Sequence, residues 1–242
     1  MIQDLTKYLT GIAIGIRFRP SFALEDQLGR VIDTVLYRKD SFFNPKVFTK
    51  ASANVGQRIL HNPNTDDKFT IDNSNFIVDF NLSNTHGGFT RADAPKIIEA
   101  FRDEILFGAM KKHGIAHVFR IGLVKRFIFP FHDLASKFVE STIGNTLEGV
   151  NDIELNFSKK IPVAEALAMR DVHDWANAIF NIVKKANLQE ISMSLDYQTY
   201  FNPLLPSVDD IKYNPFMAAA NSFTEKTFLP WLNKNYAGAI ND

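Results

Sequence analysis

The stretch HVFRIGLVKRFIF, residues 117–129, predicts one long β-strand. Large apolar side chains recur at every second position, which is the pattern of a strand with one buried face. These positions are Phe119, Ile121, Leu123, Phe127 and Phe129. The stretch therefore predicts a strand that forms part of a half-buried sheet.

The same stretch carries three cations and one glycine. Arg120 and Arg126 fall on the polar face of the predicted strand, whereas Lys125 falls on the apolar side. Gly122 lies between the two arginines, where it either lets a ligand or another backbone come close or marks a β-bulge. The sequence thus leaves two interpretations of the cations, a binding site or the solvated side of an ordinary sheet.

Further segments with the same alternation lie on both sides of this strand. The predicted strands are 10–19, 75–83, 152–159 and 190–201. Short apolar pieces separated by turn-rich stretches predict two to four further strands in hairpins within 40–74. Residues 172–186 fit both a helix face and a strand, and the sequence leaves this choice open.

Apolar residues at helical spacing predict four helices. They are 24–36, 91–112, 131–142 and the tail 208–236. Before the second helix, Thr90 and Asp93 have the spacing of a capping box, and Gly114 supplies its C-cap. In the tail, Pro230 must kink the helix or begin a new turn.

This succession of elements predicts an α+β fold, with a largely antiparallel sheet or sheets and helices on one face. We expect one domain that spans 1–242. A division of that domain into two closely packed, ferredoxin-like halves, about 1–74 and 75–242, is the alternative organisation. The chain shows no short repeat and no obvious linker.

The composition excludes several classes of site. The chain has no cysteine, which excludes a disulfide framework, a thiolate zinc site and a cysteine nucleophile. Lys+Arg and Asp+Glu both total 27, and this balance argues against a strong nucleic-acid binder, which needs an excess of positive charge. The 22 Phe residues predict an aromatic-rich core. Because no signal peptide or membrane-spanning stretch is recognisable, a cytoplasmic location is the default.

Three stretches together resemble a family of proteins in their order and spacing: IGIRFRPSFALEDQLGRVIDTVLY, FRIGLVKRFIF and ISMSLDYQTYF. The family is a sporadically distributed prokaryotic group of uncharacterised proteins of about this length. Its R-I-G-L strand matches Arg120–Leu123 and its L-D motif near the C-terminus matches Leu195–Asp196, while Lys125–Arg126 and Gln198 depart from its pattern. The resemblance implies a hairpin at 172–200 and no activity, and sporadic distribution is associated with mobile or defence-linked genes.

Polar residues collect on the outward faces of the predicted strands, and five of them are candidate binding residues. They are Arg17, Arg19, Arg120, Arg126 and Asp196. Arginine is favoured at protein interfaces, so the leading hypothesis is a non-enzymatic module that docks to a protein partner or associates with itself. A solvated antiparallel face with cross-strand ion pairs is the plain structural alternative.

A second functional hypothesis is a nucleic-acid-binding or RNA-cleaving protein on a ferredoxin-like scaffold. It would use the four arginines together with a histidine such as His86 or His173. Proteins that bind RNA on a sheet stack bases on aromatic side chains, and this face offers little beyond Tyr200. The scarcity of aromatic residues and the zero net charge argue against this hypothesis.

The chain carries no pattern that indicates a catalytic residue, a metal site or a cofactor, although a small-molecule enzyme stays open as a third possibility. The motifs FHD (131–133) and RDVHDW (170–175) place a histidine beside an aspartate, as surface turns often do by chance. His113 and His117 are four residues apart, but Gly114 separates them and they do not share a helix face as metal ligands would.

Overall fold

The computed structural model describes residues 2–43, 50–54, 56–82, 88–131, 152–161, 174–185, 188–236 and 240. Nine strands of these residues form one antiparallel sheet in the order β2-β3-β4-β5-β1-β6-β9-β8-β7. They are β1 (Leu9–Phe18), β2 (Lys50–Asn54), β3 (Gln57–Asn62), β4 (Asp67–Asp72), β5 (Asn75–Asn81), β6 (Ala116–Pro130), β7 (Ile153–Ile161), β8 (Trp175–Lys184) and β9 (Glu190–Ser207). The predicted α+β fold with an antiparallel sheet is therefore confirmed.

Among the described residues, five α-helices accompany the sheet: α1 (Phe22–Glu25), α2 (Leu28–Leu36), α3 (Ala94–Ala100), α4 (Tyr213–Phe223) and α5 (Leu229–Tyr236). Wider π-helical turns extend α3 through Phe101–Met110 and join α4 to α5 through Thr224–Phe228. Short 3₁₀ turns cover Leu5–Tyr8, Arg91–Asp93 and Val208–Asp210. Pro230 lies in α5 directly after the π-helical turns, where the regular α-helical hydrogen bonding is already altered.

The helix signals in the sequence mark real boundaries. Both the N–H and the hydroxyl of Thr90 donate to a carboxylate oxygen of Asp93, at 2.9 and 2.8 Å, so the predicted capping box is present. Gly114 ends the long helix with a φ of 66°, which is the left-handed conformation that favours glycine. The predicted helix 24–36 is interrupted between α1 and α2, and the predicted helix 131–142 lies outside the described residues except for its first.

Strand β6 contains the stretch 117–129 and pairs with β1 on one edge and β9 on the other. Gly122 lies in regular register on both sides, opposite Gly15 of β1 and Gln198 of β9. Gly122 therefore does not mark a β-bulge, and the close-approach interpretation of this glycine is the one that the register allows.

A bulge lies instead near the start of β6. The register shifts between Val118 and Arg120 against both neighbouring strands. An extra residue in a strand interrupts the alternation of its side chains, so Val118 is fully buried whereas Phe119 is 41% exposed. The prediction that Phe119 shares the buried face of Ile121 and Leu123 was wrong for this reason.

The two faces of the sheet differ in what covers them. The helices pack on the inner face, where ring contacts join Phe127 to Phe228 at 5.6 Å and Tyr197 to Phe223 at 5.7 Å. Nine buried phenylalanines are among the largest fully buried side chains of the described residues, which confirms the aromatic-rich core: Phe43, Phe76, Phe80, Phe101, Phe127, Phe129, Phe131, Phe216 and Phe228. The tail 208–236 thus packs on its own domain.

The strands that follow β1 and those that follow β6 have a similar arrangement: each run of antiparallel strands ends with a strand that pairs with β1 or β6. After β1 come α1 and α2, and then the antiparallel run β2 to β5, which returns to pair with β1. After β6, the run β7 to β9 returns to pair with β6. A ferredoxin-like unit has the order β-α-β-β-α-β. The prediction that the two halves are ferredoxin-like is not confirmed. The predicted division at 74/75 falls between β4 and β5, which pair with each other.

The ambiguous segment 172–186 is a strand where it is described. Its residues 175–184 form β8, which pairs with β9 in an antiparallel hairpin, as the family resemblance implies. Burial alternates along β8, so Ala176, Ala178, Phe180 and Ile182 face the core.

Cations also lie on the inner face, and Lys125 is one of them. Lys125 of β6 projects toward α4, and its Nζ donates to Asn221 Oδ1 at 2.9 Å and to Thr224 Oγ1 at 3.3 Å. Burial lowers the pKa of Lys125 to about 8. In the unfolded chain the pKa of Lys125 stays near its ordinary value of 10.5. At pH values below about 8 the amine is charged in both states, and burial of this charge destabilises the fold.

We predict that Lys125→Met stabilises the fold by roughly 1–3 kcal/mol at about pH 7. The advantage shrinks as the pH rises from about 8 to about 10.5, because the folded wild type then carries a neutral amine while its unfolded chain is still charged. Urea denaturation across this pH range measures the difference. The control is Lys111→Met at an exposed ion pair with Asp209, which we expect to change stability by about 0.5 kcal/mol or less.

Candidate binding face

The sheet face opposite the helices, here termed the outer face, carries polar side chains with apolar ones among them. Ile77 of β5, Phe119 and Ile128 of β6 are 38%, 41% and 36% exposed. These three large apolar side chains lie on inner strands of the sheet, and they leave apolar surface exposed to water. The outer face therefore resembles a surface that can be covered by a partner.

Arg126 on this face is a structural residue. Its guanidinium crosses β1 and forms an ion pair with Asp79 of β5, and it also donates to the carbonyl oxygen of Phe80 at 3.1 Å. A Cβ on Gly11 would lie 2.5 Å from Arg126 Nε, so only glycine lets this side chain lie flat over β1. The charge of Arg126 is compensated within the sheet.

A single row of residues crosses four strands at the other end of the outer face. Arg17 of β1 lies opposite Arg120 of β6, Arg120 opposite Tyr200 of β9, and Tyr200 opposite Trp175 of β8. Lys160 of β7 extends the row, because its Nζ lies 5.1 Å from the centre of the Trp175 ring. We term these five residues the cationic row.

The aromatic members of the cationic row are stacked on one another and capped by cations. The rings of Trp175 and Tyr200 are parallel within 1°, with centroids 4.0 Å apart. Arg120 Cζ lies 5.6 Å from the Tyr200 centroid, and Lys160 caps the other end on Trp175. Cation–π contacts of this kind stabilise the row by about 0.5–1 kcal/mol each at exposed sites, and they occupy the ring faces.

Two arginines of the row face each other without a carboxylate partner. Within the described part of the chain, neither Arg17 nor Arg120 forms an ion pair. Arg120 Nη1 donates instead to neutral acceptors, Gln198 Oε1 at 3.1 Å and the Tyr200 hydroxyl at 3.2 Å. Like charges directly opposite each other on neighbouring strands destabilise a sheet, and here two such arginines lack an ion-pair partner among the described residues.

Gln198 connects the arginine to a carboxylate. Its Oε1 accepts from Arg120 and from the Tyr200 hydroxyl, while its Nε2 donates to Asp196. Gln198 is only 5% exposed, which fixes this arrangement in place. Burial raises the pKa of Asp196, and the hydrogen bond from Gln198 and the charge of Arg120 oppose that rise without cancelling it.

A small depression lies beside the cationic row. Its floor is the cross-strand glycine pair Gly15 and Gly122, Ile77 forms one wall, and Asp196 with Gln198 forms the other. Arg17 and Arg120 stand at its end. The depression, here termed the notch, has a volume of about 130 Å³, which is enough for one side chain and a few water molecules at about 30 Å³ each.

The structure thus brings together three of the five predicted binding residues and separates the other two from them. Arg17, Arg120 and Asp196 meet at the notch. Arg126 lies on the same face but is held by Asp79. Arg19 follows the end of β1, where its N–H donates to the carbonyl oxygen of His117 at 2.9 Å.

Sequence reasoning missed three members of this neighbourhood. Trp175 lay in the segment that fitted both a helix and a strand, and Phe119 was placed in the core. Lys160 follows the last position of the predicted strand 152–159. The strand interpretation of 172–186, with Ala176 and Phe180 inward, would have placed Trp175 outward beside Tyr200.

The structure describes only some of the histidines that the sequence singled out. His86, His132 and His173 lie outside the described residues. His113 and His117 line one cavity of about 400 Å³, and His113 Nε2 lies 2.9 Å from Thr34 Oγ1. In the parts of the chain that the structure describes, no three His, Asp or Glu residues are grouped as metal ligands, and no helix there is long and apolar enough to cross a membrane.

Comparison of the chain with protein-family models and with curated proteins returned no match. The resemblance to the sporadically distributed prokaryotic family therefore stays a prediction.

We predict that Asp196→Asn stabilises the protein at about pH 7. The folded state binds the Asp196 proton more tightly than the unfolded chain, so the ionised carboxylate destabilises the fold and the penalty disappears as the pH falls through the raised pKa. Thermal unfolding at about pH 7 and about pH 4, near the ordinary aspartate value, tests this, with the variant's advantage confined to the higher pH. Asp79→Asn is the opposite control, because loss of its pairing with Arg126 should destabilise by about 1 kcal/mol or less.

Proposed function

We propose that this chain is a non-enzymatic cytoplasmic module that docks a protein partner on the outer face of its sheet. The observation that carries the proposal is the facing pair Arg17 and Arg120, which has no carboxylate partner among the described residues. Exposed apolar side chains lie near this charge, at Ile77 and Phe119. Arginine and aromatic side chains beside apolar surface are the usual composition of a protein interface.

Several features favour a protein over nucleic acid. The faces of Trp175 and Tyr200 are already covered by each other and by cations, so they offer no platform for a base. A phosphate backbone that crossed the outer face would also meet the carboxylates of Asp79 and Asp196. The zero net charge of the chain removes the general attraction on which nucleic-acid binding depends.

A nucleic-acid-binding or RNA-cleaving protein is the second candidate, because the cationic row places three cations beside two aromatic rings. Binding of this kind is strongest at low salt, since it depends on phosphate contacts. Labelled single-stranded RNA and DNA in a gel-retardation assay at low salt should remain unretarded by the protein. Retardation that Arg17→Gln and Arg120→Gln abolish would establish this second candidate instead.

The cellular setting belongs to the same proposal. A docking module of the prokaryotic family that the chain resembles would serve a defence or mobile-element system. Its partner would be another protein of that system or a second copy of this chain, and the partner's own activity would supply the chemistry.

We predict that the outer face captures its partner from lysate of the native host. Immobilised wild-type protein should recover a specific protein in lysate that has been treated with nuclease. Ile77→Glu and Ile128→Glu should abolish recovery, because each places a charge on exposed apolar positions of the outer face. Phe22→Glu is the matched control, since Phe22 is 80% exposed on α1, away from this face.

Two results would contradict the docking proposal. A recovered protein that binds the Ile77→Glu and Ile128→Glu variants as well as wild type would show that the outer face is not the docking surface. Recovered material that disappears on nuclease treatment would show that nucleic acid, not protein, was bound.

A further inference from the structure

The notch combines two facing arginines that lack an ion-pair partner among the described residues with an unfilled space beside them. Arg126 shows how this sheet compensates an arginine, by an ion pair that crosses a neighbouring strand. Arg17 and Arg120 have no such partner within the described residues, although they lie directly opposite each other. An anion bound between them would relieve their mutual repulsion.

The glycine in the floor of the notch is not needed for packing. A Cβ on Gly122 would lie 3.5 Å from Gln198 Cγ and 3.6 Å from Asp196 Oδ1, which are ordinary contact distances. Its backbone is regular strand, with no positive φ. Because glycine inside a strand destabilises it by roughly 0.5–1 kcal/mol relative to alanine, the fold alone would be served better by a side chain at this position.

The size of the notch selects the kind of anion. Its volume of about 130 Å³ is below the roughly 300–1,000 Å³ of pockets that enclose whole small molecules or cofactors. A nucleotide with its base does not fit, whereas one aspartate or glutamate side chain does. The planar forks of two guanidinium groups suit the two oxygens of a carboxylate.

The walls of the notch limit the charge that it accepts. Gln198 and Tyr200 hold Arg120 in place through its Nη1, so the guanidinium is positioned before a ligand arrives. Asp196 lines the same notch as the two arginines, and its carboxylate repels negative charge beyond what the arginines compensate. This arrangement favours one carboxylate over a phosphate that carries two charges or a run of phosphates.

We propose that the notch between Arg17 and Arg120 receives a single carboxylate side chain from the docked protein, with Gly15 and Gly122 as its floor. This inference rests on the docking function proposed above. The apolar surface around Ile77 and Phe119 then contacts the residues on either side of that acidic residue. The partner is accordingly a protein with an acidic residue between apolar ones on its surface.

The test uses the full chain and two libraries of short capped peptides. One library has a fixed central glutamate between apolar residues, and the other has glutamine in the same place. Fluorescence anisotropy should show at least about tenfold tighter binding of the glutamate library, equivalent to about 1.4 kcal/mol. Arg17→Gln and Arg120→Gln should abolish the preference, and Gly122→Val should abolish it by filling the notch.

Two control variants separate recognition from folding. Arg102→Gln removes an arginine that is paired with Asp103 on the helical side, and it should leave the preference unchanged. Gly122→Ala should keep or raise the melting temperature, because its Cβ meets only ordinary contacts. It should weaken the glutamate preference less than Gly122→Val does, because it fills less of the notch.

Equal binding of the two libraries, or no measurable binding of either, overturns the inference. A preference that survives in Gly122→Val overturns it as well. Oligothymidylate that binds wild type more tightly than the glutamate library, and loses binding in the arginine variants, assigns the notch to phosphate instead. If the captured host protein is lost with Ile77→Glu but retained with Arg17→Gln and Arg120→Gln, docking stands and the carboxylate site falls.

Discussion

The antiparallel pairing of β6 with β1 and β9 is the constraint on which the rest of the structure depends. Side chains alternate along a strand, so a slip of one residue in either pairing would exchange the buried and exposed sets of β6. The apolar side chains of Ile121, Leu123 and Phe127 restrict the register, because a shift of one residue would turn them away from the helices. The same register places Gly15 opposite Gly122 and Arg17 opposite Arg120. The core thus determines the geometry of the outer face.

The two ends of the outer face treat the same residue type differently. At one end, Arg126 reaches Asp79 across β1, where Gly11 has no side chain to block the guanidinium. At the other end, Arg120 is positioned by neutral acceptors and Arg17 lies beside Phe119, with its Cζ 5.9 Å from the ring centroid. The first arrangement needs nothing from outside the chain. The arginines at the second end have no ion-pair partner among the described residues and can bind an anion from outside the chain. Both the docking proposal and the carboxylate proposal depend on this pair.

Local patterns in the sequence predicted most of the elements, because alternation and capping are properties of neighbouring residues. The strand at 190–201 and the capping box at Thr90 and Asp93 are examples. The bulge at Val118–Arg120 was not predictable, because the apolar residues alternate regularly through it in the sequence. It is visible only in the pairing of β6 with its neighbouring strands.

The candidate site was predictable in composition but not in geometry. The sequence placed Arg17, Arg120 and Asp196 on polar faces of their strands. Which of them meet depends on a strand order that joins β1, β6 and β9 across long intervals of chain, and on a register that no short motif encodes. Trp175 lies in the cationic row because residues 175–184 form a strand. The apolar residues of this segment fitted a helix as well, so the sequence did not place Trp175 on the outer face.

NMR titration of the arginine Nε–H signals with a glutamate-containing peptide would show whether the notch binds a carboxylate. We expect the signals of Arg17 and Arg120 to shift together as peptide is added, while the signal of Arg126, already paired with Asp79, stays in place. Equal shifts of all three signals, or shifts at Arg126 alone, would contradict the carboxylate proposal, because the outer face would then bind anions without the notch.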